Sequence, residues 1–374
     1  LLLFGLTIAV RWAMLRFALW FRFTDLLVFF PALALFAAGW AVFEYAQNGS
    51  WFLREFIGYN MRLASTEDAG HGGFPGYHVV VLLLGCFPAS FFYIWHYAFP
   101  APEKAEQREV QLHLNILFWV VLVVFSLVRS KIVHYSSLCY FPLTFGAARA
   151  VHDAIRTSRP VPLLLRAAVL ATGLLLGLAL MALPWLTRHT GLLSPLFERD
   201  PFARANLETV VHWDGWEWMA GLVAVALPLV FIFRASRGQT ASAVHVLFSG
   251  FALLIPLILW GFIGRIEAFS QGTAIGFFKS MQGRDAYILT HNYRSYAHLY
   301  YTRLPPRLAP PLTYPRDVKR SQAEWQDSLL RNPVGRDVYV ITKINRKSGL
   351  DTLPGLELQW ERNGWSVWKK NKAL

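Results

Sequence analysis

Arg129, Lys131, His134 and Tyr135 fall together in the segment RSKIVHY, between two hydrophobic stretches at 111–128 and 132–148. Ionisable side chains at the edge of hydrocarbon are costly unless they snorkel, pair or bind something. Lys131, His134 and Tyr135 stand at i, i+3 and i+4, so a helix starting by Lys131 would project them from one face. A cation, an imidazole and a phenol on one face at headgroup level are suited to holding an anion. The plainer alternative is that Arg129 and Lys131 anchor helix ends to phospholipid while Tyr135 joins the aromatic belt.

Two further clusters carry chemistry-bearing residues. EDAGHGGFPGYH (67–78) combines Glu67, Asp68, His71 and His78 with four glycines. Those groups could bind a metal or position a hydroxyl or phosphate, but the spacing matches no strong metal signature, and the glycines equally suit a turn. HNYRSYAHLYYTR (291–303) places Tyr293, Tyr296 and Tyr300 at helical spacing beside His298, the pattern of a domain core or docking face.

The elements that must position these residues are membrane helices. The chain has 374 residues, 55% of them hydrophobic, 16% aromatic and 16% charged, and a mean hydropathy of +0.36, too apolar for an ordinary soluble protein. Windows long enough to cross a bilayer are expected at 25–46, 77–97, 111–128, 132–148, 163–187, 216–233 and 241–262. Leu1–Val10 is apolar but short, and reads as the end of a helix whose start is missing, so the chain is expected to be the back part of a larger protein. The net charge of +13 is spread over loops and the C-terminal region, as membrane topology alone produces, so nucleic acid is not an expected partner. Cys86 and Cys139 form neither a disulfide framework nor a metal motif. A Walker loop, a dinucleotide fingerprint and a serine-nucleophile elbow are all missing from the sequence.

Lys and Arg recur in alternate loops, which places RSKIVHY and the residues after Gly264 on the outer face. The expected organisation is a helical membrane domain over 1–264, with seven spans after the truncated helix, and a soluble periplasmic α/β domain over 265–374. In the latter, 285–291 and 337–344 read as strands, 295–303 and 321–331 as helices, and 356–370 as a hairpin turning at Asn363-Gly364. The residues 305–315 are a Pro-rich loop, and SWFLREFIGYNMRL (50–63) reads as an interfacial helix.

KIVHYSSLCYFPLTF (131–145) resembles the Lys-x-x-His-Tyr-x-x-x-x-x-Pro segment of the bacterial GT-C-type glycosyltransferases related to lipid A aminoarabinose transferases and protein O-mannosyltransferases, with Val133 where the common form has Pro. The stretches 56–90, 266–280 and 293–301 are similar to that family as well. The resemblance implies a multi-pass protein of the bacterial inner membrane that transfers a sugar from a polyprenyl-phosphate donor to a lipid or protein acceptor on the periplasmic face. It further implies an acidic catalytic residue upstream of Leu1, so no catalytic residue is assigned. Lys131 is the first candidate for the donor phosphate, assisted by Arg129, His134 and Tyr135, with Arg62 on the facing loop; Asn60, Glu67, Asp68 and His71 are candidates for the acceptor or loop. No metal ligands and no certain cofactor are assigned, a divalent cation remaining open. A transporter or lipid flippase is the alternative, although such proteins usually place ionisable residues near the midplane.

Overall fold

The computed structural model describes residues 2–18, 22–65, 72–99, 105–293, 295–310 and 318–373. It divides into two compact units, Leu1–Leu175 with Val225–Phe251, and Leu176–Ala224 with Ala252–Leu374.

The first unit begins with α1 (Leu2–Met14), followed by α2 (Phe23–Leu33) and α3 (Gly39–Asn48), which are joined through a π-helical turn. The helix α4 (Trp51–Ser65) occupies the stretch read as an interfacial helix. The expected span at 77–97 is instead a bent pair, α5 (Tyr77–Gly85) and α6 (Ala89–Ala98), meeting at 107°. Pro88 accounts for the break, because it lacks an N–H and disfavours helical geometry at Phe87. The hydroxyl of Ser90 donates to the Leu83 carbonyl at 2.6 Å, satisfying one of the groups freed there.

After α7 (Ala105–Leu127) the structure departs from expectation: 132–148 is not one apolar helix. It forms a 3-10 helix, Val133–Cys139, and then α8 (Tyr140–Arg156), which buries one stripe, including Leu143, Gly146, Ala147 and Ala150, while its last turns carry Arg149, His152 and Asp153. α8 packs on α6, where the Gly146 backbone leaves room for the Tyr93 ring; a Cβ there would lie 2.5 Å from it. Among the described residues five helices are long and apolar enough to cross a membrane, or six if the bent pair counts as one, in place of the seven expected. Three of these are α9 (Leu163–Leu186), α11 (Trp218–Ser236) and α12 (Thr240–Glu267), with the short α10 (Pro201–Asn206) before α11. The chain is a multi-pass membrane protein.

In the second unit α12 continues without a break through a π-helical turn into α13 (Thr273–Ser280), so the expected domain boundary at 264 falls inside a helix. A four-stranded sheet follows, in the order β1 (Tyr287–Thr290), β2 (Val338–Lys343), β4 (Trp365–Lys370), β3 (Leu356–Arg362). β1 and β2 are parallel, the other pairs antiparallel. The parallel pair requires a long crossover, and α14 (Ala297–Thr302) and α15 (Val318–Arg331) lie within it. Alternation along the strands gives the sheet two buried faces. Ile288, Ile341, Trp365 and Val367 pack with Ala274, Phe277 and Phe278 of α13, and Leu289, Val338, Val340 and Trp368 pack with Leu329 and Leu330 of α15. The hairpin turns where expected: Asn363 and Gly364 have φ of 47° and 77°, the left-handed pair that a two-residue turn of this hand requires.

Candidate functional site

An α-helix leaves its last four carbonyls without partners inside the helix. At the end of α7 two of these, on Phe125 and Ser126, are met by Lys131, whose Nζ donates to them at 3.1 Å and 2.7 Å and to the carbonyl of Val128, just past the helix, at 2.5 Å. An ammonium has three protons, and all three are engaged here. Lys131 is only 5% exposed, and burial pulls its pKa below the ordinary lysine range. Its aliphatic stem is covered by the loop before α5, where a Cβ on Gly73 would sit 2.9 Å from the Lys131 Cγ.

This geometry corrects the expected single face. Ile132 is extended and the 3-10 helix starts only at Val133, so Lys131 points back onto α7, away from the helix that carries His134 and Tyr135. Its ammonium is not free for an outside anion unless a carbonyl is given up. Arg129 and His134, by contrast, are exposed. Tyr135 is half-buried, its ring 5.1 Å from that of Phe125 and 5.3 Å from that of His134. The turn is held mainly by α5, α7 and α8. It therefore presents two exposed groups able to meet an anion, backed by a buried positive charge at a helix C-terminus.

His78, at the start of α5, is fully buried, with its ring 5.2 Å from Tyr77 and 6.2 Å from Phe125. Neither ring nitrogen has a hydrogen-bond partner among the described residues. Glu67, Asp68 and His71 lie outside the described residues. Asn60 spends its amide on the Phe56 carbonyl of its own helix at 2.8 Å, and the Arg62 guanidinium lies 5.2 Å over the Tyr59 ring. No group of three or more metal-type ligands occurs among the described residues.

The tyrosine stripe after β1 divides. Tyr293 packs in the core against Trp365 at 5.3 Å, whereas Tyr296 and Tyr300 are 79% and 77% exposed. His298 is buried, which drives its pKa down to about 4 against a small opposing effect of the Ser295 backbone.

One network escaped the sequence reading. Glu217 is wholly buried before α11 and accepts the backbone N–H groups of Asp214 at 3.0 Å and Gly215 at 2.8 Å. Arg265 near the end of α12 pairs with Glu217 at 2.8 Å and Asp214 at 2.5 Å, and its Nε donates to the His212 carbonyl at 3.0 Å. Burial alone would raise the Glu217 pKa, but the backbone donors and Arg265 together hold it below the ordinary value. The segment HWDGWEW contains two carboxylates, but nothing in its spacing points to an arginine nearly fifty residues away.

No known family model matches the chain. The chain is 28% identical over 233 residues to the undecaprenyl phosphate-alpha-4-amino-4-deoxy-L-arabinose arabinosyl transferase of Pseudomonas aeruginosa (strain UCBPP-PA14), a match covering 58% of this chain and 40% of that protein. The protein of the same name from Pseudomonas paraeruginosa (strain DSM 24068 / PA7) is 26% identical over 232 residues. The chain thus matches less than half the length of these curated relatives. Among solved structures, ArnT from Cupriavidus metallidurans bound to undecaprenyl phosphate superposes over 98% of this chain and 64% of that one, with a TM-score of 0.65 and 16% identity. Its apo state gives a TM-score of 0.61 and 15% identity. The chain has the fold of the matched part of these structures.

Proposed function

We propose that this chain, a relative of the GT-C-type aminoarabinose transferases, is part of an integral inner-membrane glycosyltransferase. The enzyme would move a sugar, with a pentose of the aminoarabinose kind favoured by the relatives, from a polyprenyl-phosphate donor to a lipid A-like acceptor on the periplasmic face. The observation that carries the reading is fold agreement along nearly the whole chain with a protein crystallised with undecaprenyl phosphate, joined to a basic turn at the end of a membrane helix.

The chemistry fits. Departure of a sugar from a polyprenyl phosphate develops negative charge on phosphate at the membrane surface, and fixed cations in a water-poor site stabilise that charge most where it appears. In this reading the exposed Arg129 would bond the phosphate oxygens in the bidentate manner of a guanidinium, and the exposed His134 would donate one more bond. Lys131 contributes its charge from behind and fixes the turn that carries them. Tyr135 lines the same turn.

The test is sugar transfer in membranes by the full-length gene product, with a radiolabelled polyprenyl-phosphate-linked donor. Label appearing on an extracted lipid is the expected result. Donor carried across the bilayer unchanged, with no labelled acceptor, would replace this reading by that of a transporter or flippase.

A further inference from the structure

In the C-terminal domain a cleft of about 90 Å³ lies between the turn after α13 and the segment after α14. That volume takes several waters or one tetrahedral oxyanion. Arg284, Asp285, Arg303 and Arg307 are among the residues that line it. Asp285 is the single carboxylate of the lining among the described residues, and both its oxygens are taken: Oδ1 by Arg307 at 3.2 Å and Oδ2 by Arg336 at 2.9 Å. Arg284 and Arg303 make no side-chain hydrogen bond or ion pair among the described residues. Three arginines from two stretches therefore line the cleft beside one carboxylate, which Arg307 shares with Arg336. Like charges so placed repel, and the arrangement is favourable when an anion sits among them.

Backbone conformation fixes part of this arrangement. Arg303 occupies the left-handed region at φ 53°, a conformation that side-chain-bearing residues seldom adopt, at the point where the chain leaves α14. Gly283, at φ 74°, makes the opposing turn next to Arg284. Both arginines are exposed, so an anion arriving from solvent or from a lipid surface can reach them.

We propose that this cleft binds a phosphate monoester or phosphate dianion, with Arg284 and Arg303 as its direct contacts and Arg307 as a third donor shared with Asp285. Planar guanidiniums bond such an oxyanion in pairs, and the dianion offsets most of the excess positive charge. The source is either a phosphorylated lipid headgroup or free phosphate. This inference does not depend on the transferase reading.

The test uses the full-length protein reconstituted in phosphatidylcholine and carrying Arg129→Ala and His134→Ala, so that the turn at the end of α7 does not contribute. Two probes are compared: inorganic phosphate, and liposomes containing phosphatidic acid against liposomes of phosphatidylcholine alone. The expected result is saturable binding that weakens at least tenfold in Arg284→Gln/Arg303→Asn and is unchanged in Arg331→Gln, an arginine paired with Asp327 on α15. Binding of inorganic phosphate assigns the site to free phosphate, and binding of the acidic liposomes alone assigns it to a headgroup. An unchanged affinity in the double variant, with its unfolding midpoint equal to that of the parent, overturns the proposal, as does a parent protein that binds neither probe. Sugar transfer is not read in this assay, so its failure is separate from failure of the transferase reading.

Discussion

Replacing Lys131 by methionine separates two roles that an alanine substitution would confuse. Methionine keeps most of the stem that packs under Gly73 and removes only the ammonium. The change leaves the carbonyls of Phe125, Ser126 and Val128 without their donor. A buried acceptor stripped of its partner costs about 1–3 kcal/mol. Water can reach part of this helix end, so the three together are expected to destabilise the fold by about 2–4 kcal/mol, roughly a thirtyfold to several-hundredfold change in the folding equilibrium. The assay is thermal or denaturant unfolding of the reconstituted protein, read by protection of the segment 105–156 from proteolysis and hydrogen exchange. Local loss of protection around the end of α7, together with weaker donor binding, is the expected result. A variant that unfolds like the wild type yet no longer binds polyprenyl phosphate would refute it, because Lys131 would then be a phosphate ligand and not the cap of α7.

Other substitutions test other parts of the structure. Arg265→Ala strands the buried Glu217 carboxylate and is expected to destabilise the second unit by about 3–5 kcal/mol, measured by denaturant unfolding; a loss below 1 kcal/mol would contradict the network. His298 has a folded-state pKa of about 4, below the ordinary value of 6.5, so the unfolded chain binds the proton first as the pH falls. Stability is then full above about pH 6.5 and falls by about 3 kcal/mol on descending to pH 4, and His298→Phe should flatten this part of the pH profile. A Cβ on Gly364 would lie 2.9 Å from the Phe202 carbonyl, and φ there is positive. Gly364→Val should therefore cost more than about 1 kcal/mol, seen as a lower unfolding midpoint.

The C-terminal domain was the most legible part of the sequence. Its strands alternate, and Asn363-Gly364 specifies the hairpin turn by backbone conformation alone. The long apolar helices at 24–47, 107–127, 163–186, 218–236 and from 240 onward were legible for the equally local reason that hydrocarbon demands length. The stretch 132–148 misled because average apolarity hides where a helix begins; the extended Ile132 turns the chain just before the polar Ser136 and Ser137. Lys131 misled for a related reason. A lysine shortly after one helix and shortly before another can cap the first or decorate the second, and only the three-dimensional path of its side chain decides. Sequence spacing also could not divide the tyrosine stripe, since α14 starts only at Ala297 and of the three tyrosines only Tyr300 lies on it. The pairing of Arg265 with Glu217, and the arginines around Asp285, depend on residues distant in the chain that only tertiary structure brings together.

The central claim is that the turn at 129–135 holds the donor phosphate through its exposed groups. Its most direct test is the affinity of the full-length protein for undecaprenyl phosphate, wild type against Arg129→Ala/His134→Ala, with unfolding followed on the same samples. Loss of two charge-assisted bonds at about 1.5–3 kcal/mol for the stronger one predicts affinity weakened by tenfold to a hundredfold at an unchanged unfolding midpoint. Equal affinity in the two proteins would contradict the claim and place the phosphate elsewhere.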